Sequence, residues 1–115
     1  DLKLVPQNQY PFSNGWLGNK SEGFKKGNLK KVKAVSVNEI TTSAQKVKFY
    51  KQAFSPVVES MEGAALHYVC LMEKIPFLQI RSVSNYIAER NKKNWNMKES
   101  IMNLNNELIT LLHKL

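Results

Sequence analysis

At 115 residues, of which 43% are hydrophobic, the chain can enclose one modest core and leaves no material for a second domain. Its apolar runs are broken by Glu, Lys, Arg or Asn before the roughly twenty residues a membrane span needs, and its single cysteine, Cys70, excludes an internal disulfide, so a cytoplasmic protein with no membrane partner is expected. The net charge is +8, and six lysines fall from Lys20 to Lys33 against Glu22 alone; no succession of aromatic side chains interleaves them as base-stacking platforms require, so nucleic acid is not the expected partner and a solvated loop and strand edge is.

Residues 1–31 are rich in Asn, Gly, Lys and Pro and sustain no period of 2 or 3.6, which predicts loop with a short helical piece. From Val32 the texture changes, and "VKAVSVNEI" reads as a buried strand. Thr42 or Ser43 can cap a helix through about Phe54 that puts Val47, Tyr50 and Phe54 on one face. Pro56 ends it, and "VVES" reads as a short strand. From Glu62 to about Lys74 the chain is helical and apolar on nearly every side, with Ala64, Ala65, Leu66, Val69, Leu71 and Met72; the pattern predicts a buried helix. "PFLQIRSVS" is a third strand, Pro76 being tolerated at its first residue. A polar loop from Asn85 to Asn94 follows. Asn96 and Glu99 then resemble a capping box for a last helix striped by Met97, Ile101, Leu104, Leu108, Leu111 and Leu115.

Strand and helix alternate three times, the pattern of an α/β layer protein with largely parallel pairing. Three parallel strands make a thin sheet whose faces both need cover, so further strands are expected from upstream or from a partner chain. Ligands in such sheets bind beyond the carboxyl ends of the strands. Here those ends are "NEITTS", "ESMEG" and "SVSNY", the most polar stretches between core elements, and all three should meet at one edge.

Glu62 falls in the first turn of the apolar helix, where unpaired N–H groups and the helix dipole favour a carboxylate by about 0.3–1 kcal/mol. Two roles fit it equally: a cap for the helix, or an acceptor whose two oxygens match the adjacent hydroxyls of a ribose, with Gly63, Ala64 and Ala65 leaving room for the ring. Asn85 ends a strand, and its amide offers a donor and an acceptor in one plane, suited to a purine edge and equally to a turn. Arg81 is expected to support that site. His67 and Cys70 have no second ligand at metal spacing, so they read as core residues, with no metal and no cofactor expected. The methionines other than Met61 read as gap fillers.

The stretch "ESMEGAALHYVCLMEKIPFLQIRSVSNY" resembles the nucleoside phosphorylase and nucleosidase superfamily, in which a Met-Glu pair opens a helix and a strand ends in Arg-x-x-Ser-Asp or Arg-x-x-Ser-Asn. Within it the chain looks most like the futalosine hydrolases, which release hypoxanthine from futalosine on a menaquinone route. The resemblance runs from about Tyr10 to Leu115 and implies the C-terminal half of a nucleoside-phosphorylase-like α/β sheet flanked by helices, residues 1–115 being part of a single domain whose N-terminal half is absent. It places the sugar-binding pair on Met61 and Glu62, the loop that packs on the purine on Ile40 and Thr41, and the group facing purine N7 on Asn85, supported by Arg81 and Ser84.

Two departures bear on specificity. Ser60 stands where several relatives have an acid, which keeps Glu59 as a candidate site residue. Asn85 stands where adenine-specific relatives have Asp; a neutral amide donates to O6 of a 6-oxopurine and accepts from N7–H, which favours hypoxanthine. If the substrate is futalosine, Arg90 is the candidate for its carboxylate. The resemblance further implies hydrolysis through an oxocarbenium-like transition state, a catalytic base in the N-terminal half, no turnover by these residues alone, and a homo-oligomer when intact. A purine nucleoside phosphorylase or a methylthioadenosine/adenosylhomocysteine nucleosidase of the same fold is the near alternative. A basic nucleic-acid-binding module is the distant one.

Overall fold

A computed structural model describes residues 5–21 and 29–114. The elements in order are β1 (Ala34–Ser36), α1 (Ala44–Phe54), β2 (Val58–Ser60), α2 (Gly63–Met72), a 3₁₀ turn (Lys92–Asn94) and α3 (Met97–Leu112). β1 and β2 pair in parallel, with Ala34 opposite Val58, Val35 opposite Glu59 and Ser36 opposite Ser60. Since α1 is the crossover between them, the pair is a βαβ unit, and the expected α/β architecture is present.

Local chemistry sets the boundaries. Ser43 caps α1 by accepting the Lys46 N–H, and Ser55 closes it in the left-handed conformation at φ 47° before Pro56, which cannot continue a helix. α2 ends in a Schellman arrangement: Lys74 turns left-handed at φ 55°, and the Ile75 N–H reaches the Cys70 carbonyl at 2.9 Å while that of Lys74 reaches Leu71 at 3.2 Å.

The fold bears on four expectations. The first is a short helical piece within residues 1–31: residues 5–21 and 29–31 hold none, and residues 1–4 and 22–28 lie outside the described residues. Asn14 and Gly15 both take positive φ, 50° and 77°, and close a two-residue turn that brings Ser13 and Trp16 into an antiparallel bridge, as Asn-Gly does when both central residues must be left-handed. Trp16 then meets the Phe54 ring edge-on at 6.0 Å and carries the Lys33 Nζ over its face at 5.1 Å. One lysine of the basic run is thus a structural neighbour of an aromatic ring. Lys25, Lys26 and Glu22 of the same run lie outside the described residues, as does Leu115 of the last helical stripe.

The third strand is also absent, since residues 75–84 join no ladder. A strand exists through its neighbour's N–H and C=O groups, and this segment is held instead by single bonds: the Asn19 amide to the Phe77 carbonyl at 2.8 Å and the Asn96 N–H to the Ser84 carbonyl at 2.8 Å. That last bond accompanies the third correction. The Asn96 side chain makes no capping bond, so the Asn96–Glu99 box is not formed.

The fourth concerns burial. β1 alternates between exposed and half-buried positions and α2 is not enclosed: Leu66 is 45% exposed, Val69 56% and Met72 44%. Leu111 is the one buried hydrophobic side chain among the described residues. The physical reason is thickness. The chain occupies a slab 41 × 40 × 20 Å with a radius of gyration of 15.5 Å, against about 13–14 Å for a compact chain of this length, so α2 and α3 have a covering layer on one side at most. His67 is half-buried, with its Nδ1 3.2 Å from the Leu17 carbonyl and its ring edge-on to Phe77 at 4.7 Å. Among the described residues no helix is long and apolar enough to cross a membrane.

Candidate active site

β2 runs out at Ser60, Met61 and Glu62 make the turn, and Gly63 opens α2. The first turn of a helix leaves backbone N–H groups without intrahelical partners. One of these, from Ala64, is taken by the Ser36 hydroxyl at 2.7 Å. Ser36 lies in β1 opposite Ser60, and their hydroxyl oxygens are 3.5 Å apart. Capping therefore comes from the neighbouring strand. Glu62, though it holds the N-cap position, makes no side-chain capping bond, is exposed, and has no ion pair or side-chain hydrogen bond among the described residues. Of the two roles the sequence leaves open, capping is the one Glu62 does not perform.

Gly63 is buried, and its missing side chain has a use. A methyl group there would stand 2.7 Å from both Arg81 Nη2 and Ser60 Oγ and 3.2 Å from Gln79 Oε1, so only glycine lets the guanidinium pass this close to the helix start. The Arg81 Nε donates to Gln79 Oε1 at 3.1 Å. The helix mouth thus gathers Glu62, a guanidinium, and the Ser36 and Ser60 hydroxyls. Met61 beside them is 49% exposed.

On the neighbouring loop, Ile40 is 47% exposed while Thr41 is 2% exposed. The Thr41 N–H donates to Glu59 Oε1 at 3.0 Å, so the loop presents an apolar side chain outward from a clamped backbone. Thr42 and Ala44, with Val47, Lys48 and Lys51 of α1, line an open groove of about 420 Å³ whose other wall includes Ile87 and Ala88. Of the three strand-end stretches, "NEITTS" therefore meets "ESMEG" through the Thr41–Glu59 bond, while the far wall of the groove comes from Ile87 and Ala88, just beyond "SVSNY".

Asn85 is half-buried and tied locally: its Oδ1 accepts from the Ser84 hydroxyl at 2.7 Å and its Nδ2 donates to the Tyr86 carbonyl at 3.0 Å. No hydrogen bond among the described residues joins it to Glu62. Arg90 is exposed and makes none either. Its loop is organised by Glu89, whose carboxylate accepts from Asn94 Nδ2 at 2.8 Å and from the Asn91 N–H at 2.7 Å, while the Glu89 carbonyl receives the Trp95 indole N–H at 3.0 Å. The Asn94 bond, then the Asn91 bond, holds the Glu89 carboxyl below its ordinary pKa. At the head of α1, Lys46 and Glu39 form an ion pair; the hydrogen bond and the opposite charge lower the Glu39 pKa and raise that of Lys46.

Two contributors were not expected from the sequence, Ser36 and Gln79. The signal for Ser36 is the register: a parallel pair in which Ser36 faces Ser60 puts its hydroxyl beside the helix that Ser60 leads into. No such signal marks Gln79, which alternates in a segment that forms no ladder.

A polar helix mouth and an apolar loop at the carboxyl ends of parallel strands define a site for a small polar-and-apolar ligand. The sequence profile of the phosphorylase superfamily matches residues 12–114, and the chain belongs to that superfamily. Its members are enzymes that act on nucleosides, phosphorylases and nucleosidases among them. No curated protein and no solved structure matches the chain.

Proposed function

We propose that these residues are the C-terminal part of a purine nucleosidase domain that hydrolyses the N-glycosidic bond of a 6-oxopurine nucleoside, with futalosine as substrate and hypoxanthine as product. The observation that carries the reading is the uncommitted carboxylate of Glu62, freed from capping by Ser36 at a helix mouth where Gly63 admits the Arg81 guanidinium. As an acceptor-only group with two parallel oxygens, it holds the 2′ and 3′ hydroxyls of ribose. It orients the sugar while positive charge develops at C1′, an interaction that strengthens toward the transition state. Arg81 sits behind it as a supporting cation, and Met61 covers the sugar edge.

The purine lies against Ile40. Asn85, after its bonds to Ser84 and Tyr86, retains one amide N–H and one carbonyl lone pair, the set needed to donate to O6 and to accept from N7–H of the leaving base. A proton from solvent reaches N7 as the C1′–N9 bond breaks, so the purine takes the bond's electron pair and leaves neutral, with its N7–H donating to Asn85. The oxygen of water bonds to C1′ while a base contributed by the remainder of the domain takes the water proton. Arg90, on the loop that Glu89 organises, meets the carboxylate of the futalosine extension.

The deciding experiment incubates the intact protein with futalosine and with inosine, with and without phosphate. Free sugar plus hypoxanthine in phosphate-free buffer is the expected result. Cleavage that requires phosphate and yields a sugar 1-phosphate assigns the domain to the phosphorylases, and no cleavage of any purine nucleoside refutes the reading.

A further inference from the structure

Glu59 is one residue from Ser60, and adjacent strand residues point to opposite faces of a sheet. Ser60 turns toward Ser36 and the mouth of α2, so Glu59 leaves β2 on the face opposite to Ser60. What it reaches is the backbone of Thr41, the most enclosed of the described side chains, through the 3.0 Å bond to Oε1. Its second oxygen, Oε2, is withdrawn from solvent and has no partner among the described residues. A carboxylate oxygen kept dry and unbonded is costly, and a structure seeking stability alone would be served as well by an apolar residue. The cost is retained at a contact that holds the loop carrying Ile40 at the residue next to it.

We infer that Glu59 is a positioning residue of the base subsite: it clamps Thr41, and through Thr41 sets the attitude of Ile40 against the purine, so it governs affinity for the base and not for the sugar. The inference rests on the purine-nucleosidase reading above. It replaces the expectation that Glu59 touches substrate.

The test uses the intact protein and two separate probes, hypoxanthine for the base and a cationic iminosugar for the ribose. Glu59→Ala should weaken hypoxanthine binding about tenfold, the scale of one lost hydrogen bond to a charged group, and change iminosugar binding less than about twofold. Glu59→Gln keeps an acceptor for the Thr41 N–H and should restore hypoxanthine affinity to within about threefold of the original. If Glu59→Ala does not fold, Glu59→Asp, which withdraws the carboxylate by one methylene, carries the same comparison. Equal weakening of both probes, or of neither, overturns the assignment of Glu59 while leaving the nucleosidase reading intact. Failure of the unmutated protein to bind hypoxanthine overturns both.

Discussion

The Ser36 hydroxyl accepts the Ala64 N–H at 2.7 Å, so the helix that opens the site is capped from β1. Loss of an N-terminal capping side chain costs about 0.5–2 kcal/mol. Ser36→Ala is therefore expected to lower the unfolding free energy of the intact protein by that amount, measured by chemical denaturation. It should also slow turnover, because the freed N–H competes for the Glu62 carboxylate. A variant as stable as the original would mean that water replaces the hydroxyl.

Glu62→Gln separates the two functions of a carboxylate at that position. Since Glu62 makes no capping bond, the substitution should leave the denaturation midpoint nearly unchanged. Losing a charge-assisted hydrogen bond to a ribose hydroxyl costs about 1.5–3 kcal/mol, and more where the bond tightens in the transition state, so kcat should fall by a factor on the order of ten to several hundred. Steady-state rates beside a melting curve check both halves.

Asn85→Asp places a second carboxylate oxygen where Nδ2 now donates to the Tyr86 carbonyl at 3.0 Å. Acceptor then faces acceptor, at a cost of about 1–3 kcal/mol. The same exchange removes the donor for O6 and supplies an acceptor for a 6-amino group. The ratio of kcat/KM for inosine to that for adenosine should fall, and an unchanged ratio would take Asn85 out of the base subsite.

Glu89 gives the loop before α3 an acid limit. Its folded-state pKa lies below the ordinary value because Asn94 and the Asn91 N–H bind the ionised form, so its contribution is fully present above the unfolded carboxylate range. It is lost as pH falls through the depressed folded value. Trp95, whose indole N–H is anchored on the Glu89 carbonyl, reports the change. Its fluorescence should shift on acidification below the carboxylate range, and Glu89→Gln should show the loosened signal already at neutral pH.

What the sequence made legible is what local chemistry decides. Ser43, Pro56 and the apolar spacing placed α1 to within a residue, and α2 begins one residue after the expected start, with Glu62 at its N-cap position in place of its first turn. The Asn14–Gly15 turn is equally local, but its signal is two residues long and sits in a stretch that carries no period. Other features depend on what lies across space. Ser36 becomes a cap only once the β1–β2 register is known, and "PFLQIRSVS" has the composition of a strand without a neighbour to complete it. The apolar girth of α2 expresses a need for cover that the described residues meet only in part.

That uncovered girth has a consequence for solution chemistry. Phosphate and sulfate are excluded from protein surfaces and strengthen the association of apolar faces, and Leu66, Val69, Met72, Ile101 and Leu112 all stand 44–56% exposed on α2 and α3. Phosphate added to an assay therefore acts on this protein twice, as a candidate nucleophile and as a salting-out agent that drives those faces onto whatever covers them. Sulfate at matched ionic strength shares only the second action. A rate increase that sulfate reproduces belongs to assembly, and one that sulfate does not reproduce belongs to the glycosidic bond.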